Sequence, residues 1–208
     1  MSEENLENVL TEEHYEVLRE VMNIGMGQAG DKLARFLGVF IRLSIPRVRL
    51  VAAEELHKYL VELVGNTTEV TGVRQAFFTH WYGEAITIFD QAGRKDLAKL
   101  MRYPDNLDEE AESELFLDVS NLLTGACING VAEQLDVELN YSPPSILSKN
   151  VFIEELFASS NMSWSHALLT EVNFSMEEYH FKSHLLVMMT TESIITLSKD
   201  LEKFIEKM

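Results

Sequence analysis

One cysteine, Cys127, stands in 208 residues, so neither an intramolecular disulfide nor a Cys-rich zinc site can be built. Positive charge is scarce as well: 17 Lys and Arg against 34 Asp and Glu leave a net charge of −17. Nucleic acid and anionic membranes both ask for clustered positive charge, so the composition argues against both as partners. The first residues, Met1 to Leu6, are acidic where a secretory leader would be basic, and no apolar run approaches the roughly 18 residues of a membrane span. These absences set the expectation of a cytoplasmic chain whose partner is a protein or a small molecule. What is present is ordinary globular material, 46% hydrophobic and 25% charged residues. At roughly 150 residues per domain, the length falls between one domain and two.

The chain resembles itself. A shift of 98 residues lays Glu16 on Glu114, Val21 on Val119, Asn23 on Asn121, Gly27 on Gly125 and Ala34 on Ala132. The same shift lays Leu37 on Leu135, Val39 on Val137, Ser44 on Ser142 and Pro46 on Pro144, nine identities between Glu16 and Pro46. A second block, Ala85 to Phe89, falls on Leu185 to Met189 at a shift of 100. Two blocks in the same order point to one unit used twice, over about residues 11–102 and 109–207 of a single domain spanning 1–208.

Each unit opens on a long helix. Val17, Leu18, Val21, Ile24, Leu33 and Leu37 recur at helical spacing, with Thr11 as N-cap and Gly38 as stop, and Leu115, Phe116, Val119, Leu122, Val131 and Leu135 repeat the pattern. Strands are expected over Val39–Val51, Ala76–Trp81 and Ala85–Phe89, then Val137–Tyr141, Leu168–Phe174 and Leu185–Met189. Shorter helices are expected over Glu54–Val64, Lys95–Met101 and Ile194–Ile205. This is an α+β pattern, a tandem duplication of an α-β-(α)-β-β-α unit about an approximate two-fold axis.

Glu16, Glu20 and Asn23 lie four and three residues apart, which stacks them on one face of the first helix. Glu114, Asp118 and Asn121 repeat the arrangement. Asparagine costs a few tenths of a kcal/mol against alanine inside a helix, so its recurrence asks for a reason. A solvated face, or a buried amide satisfied by backbone, is one; function is the other. Each Asn is followed 23 residues later by a proline, Pro46 or Pro144.

Glu20-x-x-Asn23 with Pro46, and Asp118-x-x-Asn121 with Pro144, resemble the doubled phosphatase signature of the CheC, CheX and FliY family of chemotaxis proteins. Asn23-Ile24-Gly25-Met26-Gly27-Gln28-Ala29 is similar to that family's Asn-Ile-Gly-x-Gly-x-Ala stretch. Glu16 and Glu114 depart from the signature's Asp or Ser, and Asp118 replaces its Glu with an acid one methylene shorter. The resemblance implies long paired helices packed on a β-sheet. It also implies an enzyme that hydrolyses the aspartyl phosphate of a CheY-type response-regulator receiver. Asn23 and Asn121 would orient the attacking water, and Glu20 and Asp118 would pair with the receiver's active-site lysine. Such hydrolysis rests mainly on positioning, and a neutral carboxamide does not repel the phosphoryl group as a carboxylate would. No cofactor or metal is expected on this chain, since the Mg²⁺ would belong to the receiver. The CheC branch adds the deamidase CheD as a possible partner.

A rival reading is a non-catalytic module that binds a receiver or scaffolds a chemotaxis or flagellar complex. No added C-terminal segment of the kind the FliY branch uses to join the motor is expected, which would weigh against the structural version of that rival. Other signals carry less. Gly25-Met26-Gly27-Gln28-Ala29-Gly30 spells a dinucleotide-binding GxGxxG, but it sits inside a helix and not after a strand; its glycines better suit close helix packing. His180 and His184 are too far apart on a strand for one ion. Cys127 reads as a packed thiol, the acidic run from Asp105 to Glu114 as a solvated helix start, and Met188 and Met189 as core.

Overall fold

A computed structural model describes residues 9–65, 68–104, 106–156, 166–176 and 182–207. The first long helix, α1 (Glu12–Leu37), starts at a capping box. The Thr11 hydroxyl accepts from the His14 backbone N–H at 3.2 Å, and the Thr11 N–H donates to His14 Nδ1. It stops at Gly38, whose φ of +69° is the left-handed conformation that ends helices at glycine. Its counterpart α4 (Glu109–Gln134) is capped by the Asp108 carboxylate on the Ala111 N–H. Of the acidic run, Glu109, Glu110 and Glu114 are solvated as expected, but Glu112 is buried. Its carboxylate is paired with Arg94 and, at 2.8 Å, with Lys149.

The expected strand over Val39–Val51 is two strands, β1 (Ile41–Leu43) and β2 (Arg47–Ala52), because Pro46 lacks the N–H a continuous ladder needs. Helix α2 (Ala53–Val64) follows, then the hairpin β3 (Glu69–Thr79) and β4 (Gly83–Asp90), then α3 (Arg94–Leu100). Strand β3 begins seven residues before the expected Ala76. After α4 come β5 (Leu139–Tyr141) and β6 (Ser145–Phe152), the latter not expected from sequence. Strands β7 (His166–Met176) and β8 (Lys182–Met189) and helix α5 (Thr191–Ile205) complete the order.

All the strands join in one antiparallel sheet, ordered β1-β7-β8-β4-β3-β5, with β2 also on β7 and β6 also on β3. The first strands of each half therefore pair with the other half. At the centre β4 runs against β8, and the rung Gly83–Met189 exchanges with the rung Phe89–Ser183 under the same 100-residue shift that aligns the sequence. One face of the sheet, with Val73, Phe77, Ala85, Phe89, Leu168 and Leu185, packs on α1 and α4. The other, with Val70, Ile86, Ile88 and Leu186, is covered by α2 and the segment around Leu156.

Helices α1 and α4 meet where Gly25 faces Gly130. A Cβ on Gly25 would lie 2.6 Å from the Gly130 carbonyl carbon, and one on Gly130 would lie 2.6 Å from the Gly25 oxygen. Gly25 thus serves close packing as expected; Gly27 faces open space and Gly30 lies against Leu43. By length and composition alone α4 holds an 18-residue window apolar enough to cross a membrane, a test that a buried core helix also meets. In this fold 61% of that window is buried inside the protein.

Candidate functional site

The outward stripe of α1 carries Glu16, Glu20 and Asn23, all exposed, while Leu18, Val21, Met22 and Met26 turn inward. The stripe exists because apolar residues at helical spacing fix which way the helix faces. Among the described residues neither Glu20 nor Asn23 makes a side-chain hydrogen bond or ion pair. Ile24, beside Asn23, is exposed too. On α4 the exposed set is Glu114, Asp118 and Asn121, against buried Leu115, Phe116, Val119, Ser120 and Leu123.

The second set is held where the first is not. Tyr103, in the connection between the halves, donates its phenol to Asp118 Oδ2 at 2.9 Å. Burial, the hydrogen bond to Asp118 and the negative charges of Asp118 and Glu114 push the Tyr103 phenol up to about 12. Gln75 Nε2 donates to Asn121 Oδ1 at 2.8 Å and to the Ser142 carbonyl at 2.9 Å. Gln75 comes from the first half of the chain and Tyr103 from the connection that leads into α4. Gln75 escaped the sequence reading because Arg74 and Gln75 hid the start of β3. The signal was a glutamine in the alternating row Val73, Gln75, Phe77, which faces the helices.

The other residues singled out in the sequence lie apart from this surface. Cys127 is buried, and burial pushes its thiol well above the ordinary range, as suits a packed group. Met188 and Met189 are in the core. His184 lies on β8, while His180 is outside the described residues. Among the described residues no three His, Cys, Asp or Glu side chains gather to hold a metal ion.

Residues 14–49, from α1 to the middle of β2, match the CheC-like family. The solved structure of Thermotoga maritima FliY superposes with a TM-score of 0.67 at 18% identity, covering 94% of this chain and 98% of that one. The fold is CheC-like. The FliM middle domain from H. pylori shares it, with a TM-score of 0.61 at 7% identity over 92% of this chain and 99% of that one. In sequence, the chain is 24% identical to the CheY-P phosphatase CheC of Bacillus subtilis over 197 residues, 87% of this chain and 90% of that protein. The matched segment, the relative and the fold together support the CheC, CheX and FliY family for this CheC-like chain. The family match begins within α1 and ends past Pro46, so it contains Glu20, Asn23 and the proline that follows them.

Proposed function

We propose that this chain is a phosphatase acting on the aspartyl phosphate of a CheY-type receiver, through Asn23 on α1 and Asn121 on α4. The observation that carries the reading is that both carboxamides stand exposed on rigid helices, each one turn from an exposed carboxylate. The name of the Bacillus subtilis relative supports it. A helix-borne amide can enter a partner's phosphorylated pocket and fix a water in line with the leaving oxygen. Glu20 or Asp118 would pair with a lysine of the receiver and set the depth of docking. A hundredfold acceleration asks for only about 2.7 kcal/mol of barrier lowering, within the range that positioning provides. The Mg²⁺ would remain with the receiver.

A second reading, a receiver-binding or scaffolding module without turnover, is favoured by the likeness to the FliM middle domain. One experiment separates the two. Receivers labelled on the aspartate are mixed with the protein, and both phosphate loss and complex formation are followed. A shortened phosphate lifetime supports the phosphatase. Binding with an unchanged lifetime supports the module and sinks the phosphatase.

A further inference from the structure

We infer that Gln75 is the positioning residue of the Asn121 site, fixing from the opposite half of the chain which end of the carboxamide faces the partner. Gln75 lies on β3, 3% exposed, in a row whose neighbours Val73 and Phe77 are core. Its own orientation is forced. The Ser142 carbonyl can only accept, so the group 2.9 Å from it must be the Gln75 NH₂. The second hydrogen of that NH₂ points to Asn121, so the atom there must be the Asn121 oxygen, at 2.8 Å. Ser142 is itself pinned to β3: its N–H donates to the Ala76 carbonyl at 2.9 Å, and its hydroxyl accepts from the Ala76 N–H at 3.0 Å. A continuous chain of hydrogen bonds thus runs from the sheet to the exposed amide and leaves the Asn121 NH₂ turned outward as a donor.

Gln75 Oε1 is buried with no partner among the described residues. A lone buried acceptor is destabilising, and an apolar residue in this row would avoid it. What the glutamine supplies in return is the orientation of Asn121. The outward NH₂ donates to the water or to a phosphoryl oxygen, and one lone pair of Oδ1 is already occupied. The inference rests on the phosphatase reading for its catalytic meaning, and on the hydrogen bonds alone for its structural one.

The test uses the full chain carrying Asn23→Ala, so that Asn121 is the amide under study, with Gln75→Met and Gln75→Glu added separately. Met keeps the volume without a donor, and Glu keeps the shape but only accepts when ionised. Both variants are expected to lower kcat on a phosphorylated receiver about tenfold to a hundredfold, with KM unchanged, since docking does not involve Gln75. In parallel, the Asn121 side-chain NH₂ is followed by NMR. One dispersed, single-rotamer pair is expected in the parent, and rotamer averaging in Gln75→Met. A folded Gln75→Met protein whose Asn121 signals and kcat match the parent overturns the inference, as does a loss confined to KM. If Asn121→Ala in the same parent costs no activity, the phosphatase reading of this site fails instead, and the NMR result alone decides whether Gln75 positions the amide.

Discussion

The two asparagines have the same place on equivalent helices and different surroundings. Asn23 and Glu20 are unsupported among the described residues, whereas Asp118 and Asn121 are each held by a hydrogen bond. The shorter acid in the second half goes with a tyrosine that fixes it, so the loss of a methylene is accompanied by a gain in order. The phenol should report this directly. In Asp118→Asn the charge and the charged acceptor both disappear, so the Tyr103 titration midpoint, followed by ultraviolet absorbance, should fall from about 12 toward the ordinary phenol value. An unchanged midpoint would mean that burial alone sets it. Which residues stood outward on the helices was legible from spacing. What stood behind them was not, because Gln75 is brought to α4 only by the folded sheet and Tyr103 sits in an irregular connection that no periodicity marks.

Among the elements, the long helices were the most legible. Thr11, Gly38 and the apolar spacing of α1 each act within a few residues, and the boundaries fell where those signals placed them. Strand β6 was hidden because Pro143 and Pro144 precede it and its side chains are only half buried, so no alternation marks it. The crossing of α1 and α4 yields a pair of opposed outcomes. Gly25→Ala should lower stability by about 1–3 kcal/mol, since its Cβ would strike the Gly130 backbone. Gly27→Ala, facing open space, should raise it by roughly 1 kcal/mol through helix propensity. Thermal melts of the two proteins check both signs.

Helix α5 is tied to the β3–β4 hairpin by buried Asp200, whose carboxylate accepts from Trp81 Nε1 at 3.0 Å and Lys203 Nζ at 3.1 Å and lies 2.7 Å from His80 Nε2. Burial would raise this carboxyl, but the hydrogen bonds from His80, Lys203 and Trp81 outweigh it and hold it below the usual range. A depressed carboxyl contributes stability that is complete above its unfolded value, roughly pH 4, and is lost as pH falls further. Asp200→Asn should therefore be less stable at neutral pH, yet lose less than the parent between about pH 5 and pH 2. Denaturant midpoints across that range test the sign.

At the scale of the whole molecule, the pairing of the halves is reciprocal. Strands β1 and β2 hydrogen-bond only to β7, and β5 and β6 only to β3, among the described residues. Residues 1–104 or 106–208 alone would leave strand edges and an apolar helix face bare. Neither fragment is expected to give cooperative unfolding by itself, whereas an equimolar mixture should recover the sheet. The repeat was visible in the sequence because identities survive at a fixed shift, but this exchange of strands was not, since a repeat does not say which copy a strand joins. The exchange also explains how Gln75, from the first half, reaches the amide of the second.

Whether these two exposed amides act on a phosphorylated partner is decided by the lifetime of a receiver's aspartyl phosphate in the presence of the parent chain, Asn23→Ala, Asn121→Ala and the double variant, each shown to fold. Partial loss of acceleration is expected in each single variant, and a return to the receiver's own rate in the double one. A double variant that clears phosphate as fast as the parent would contradict a role for the amides.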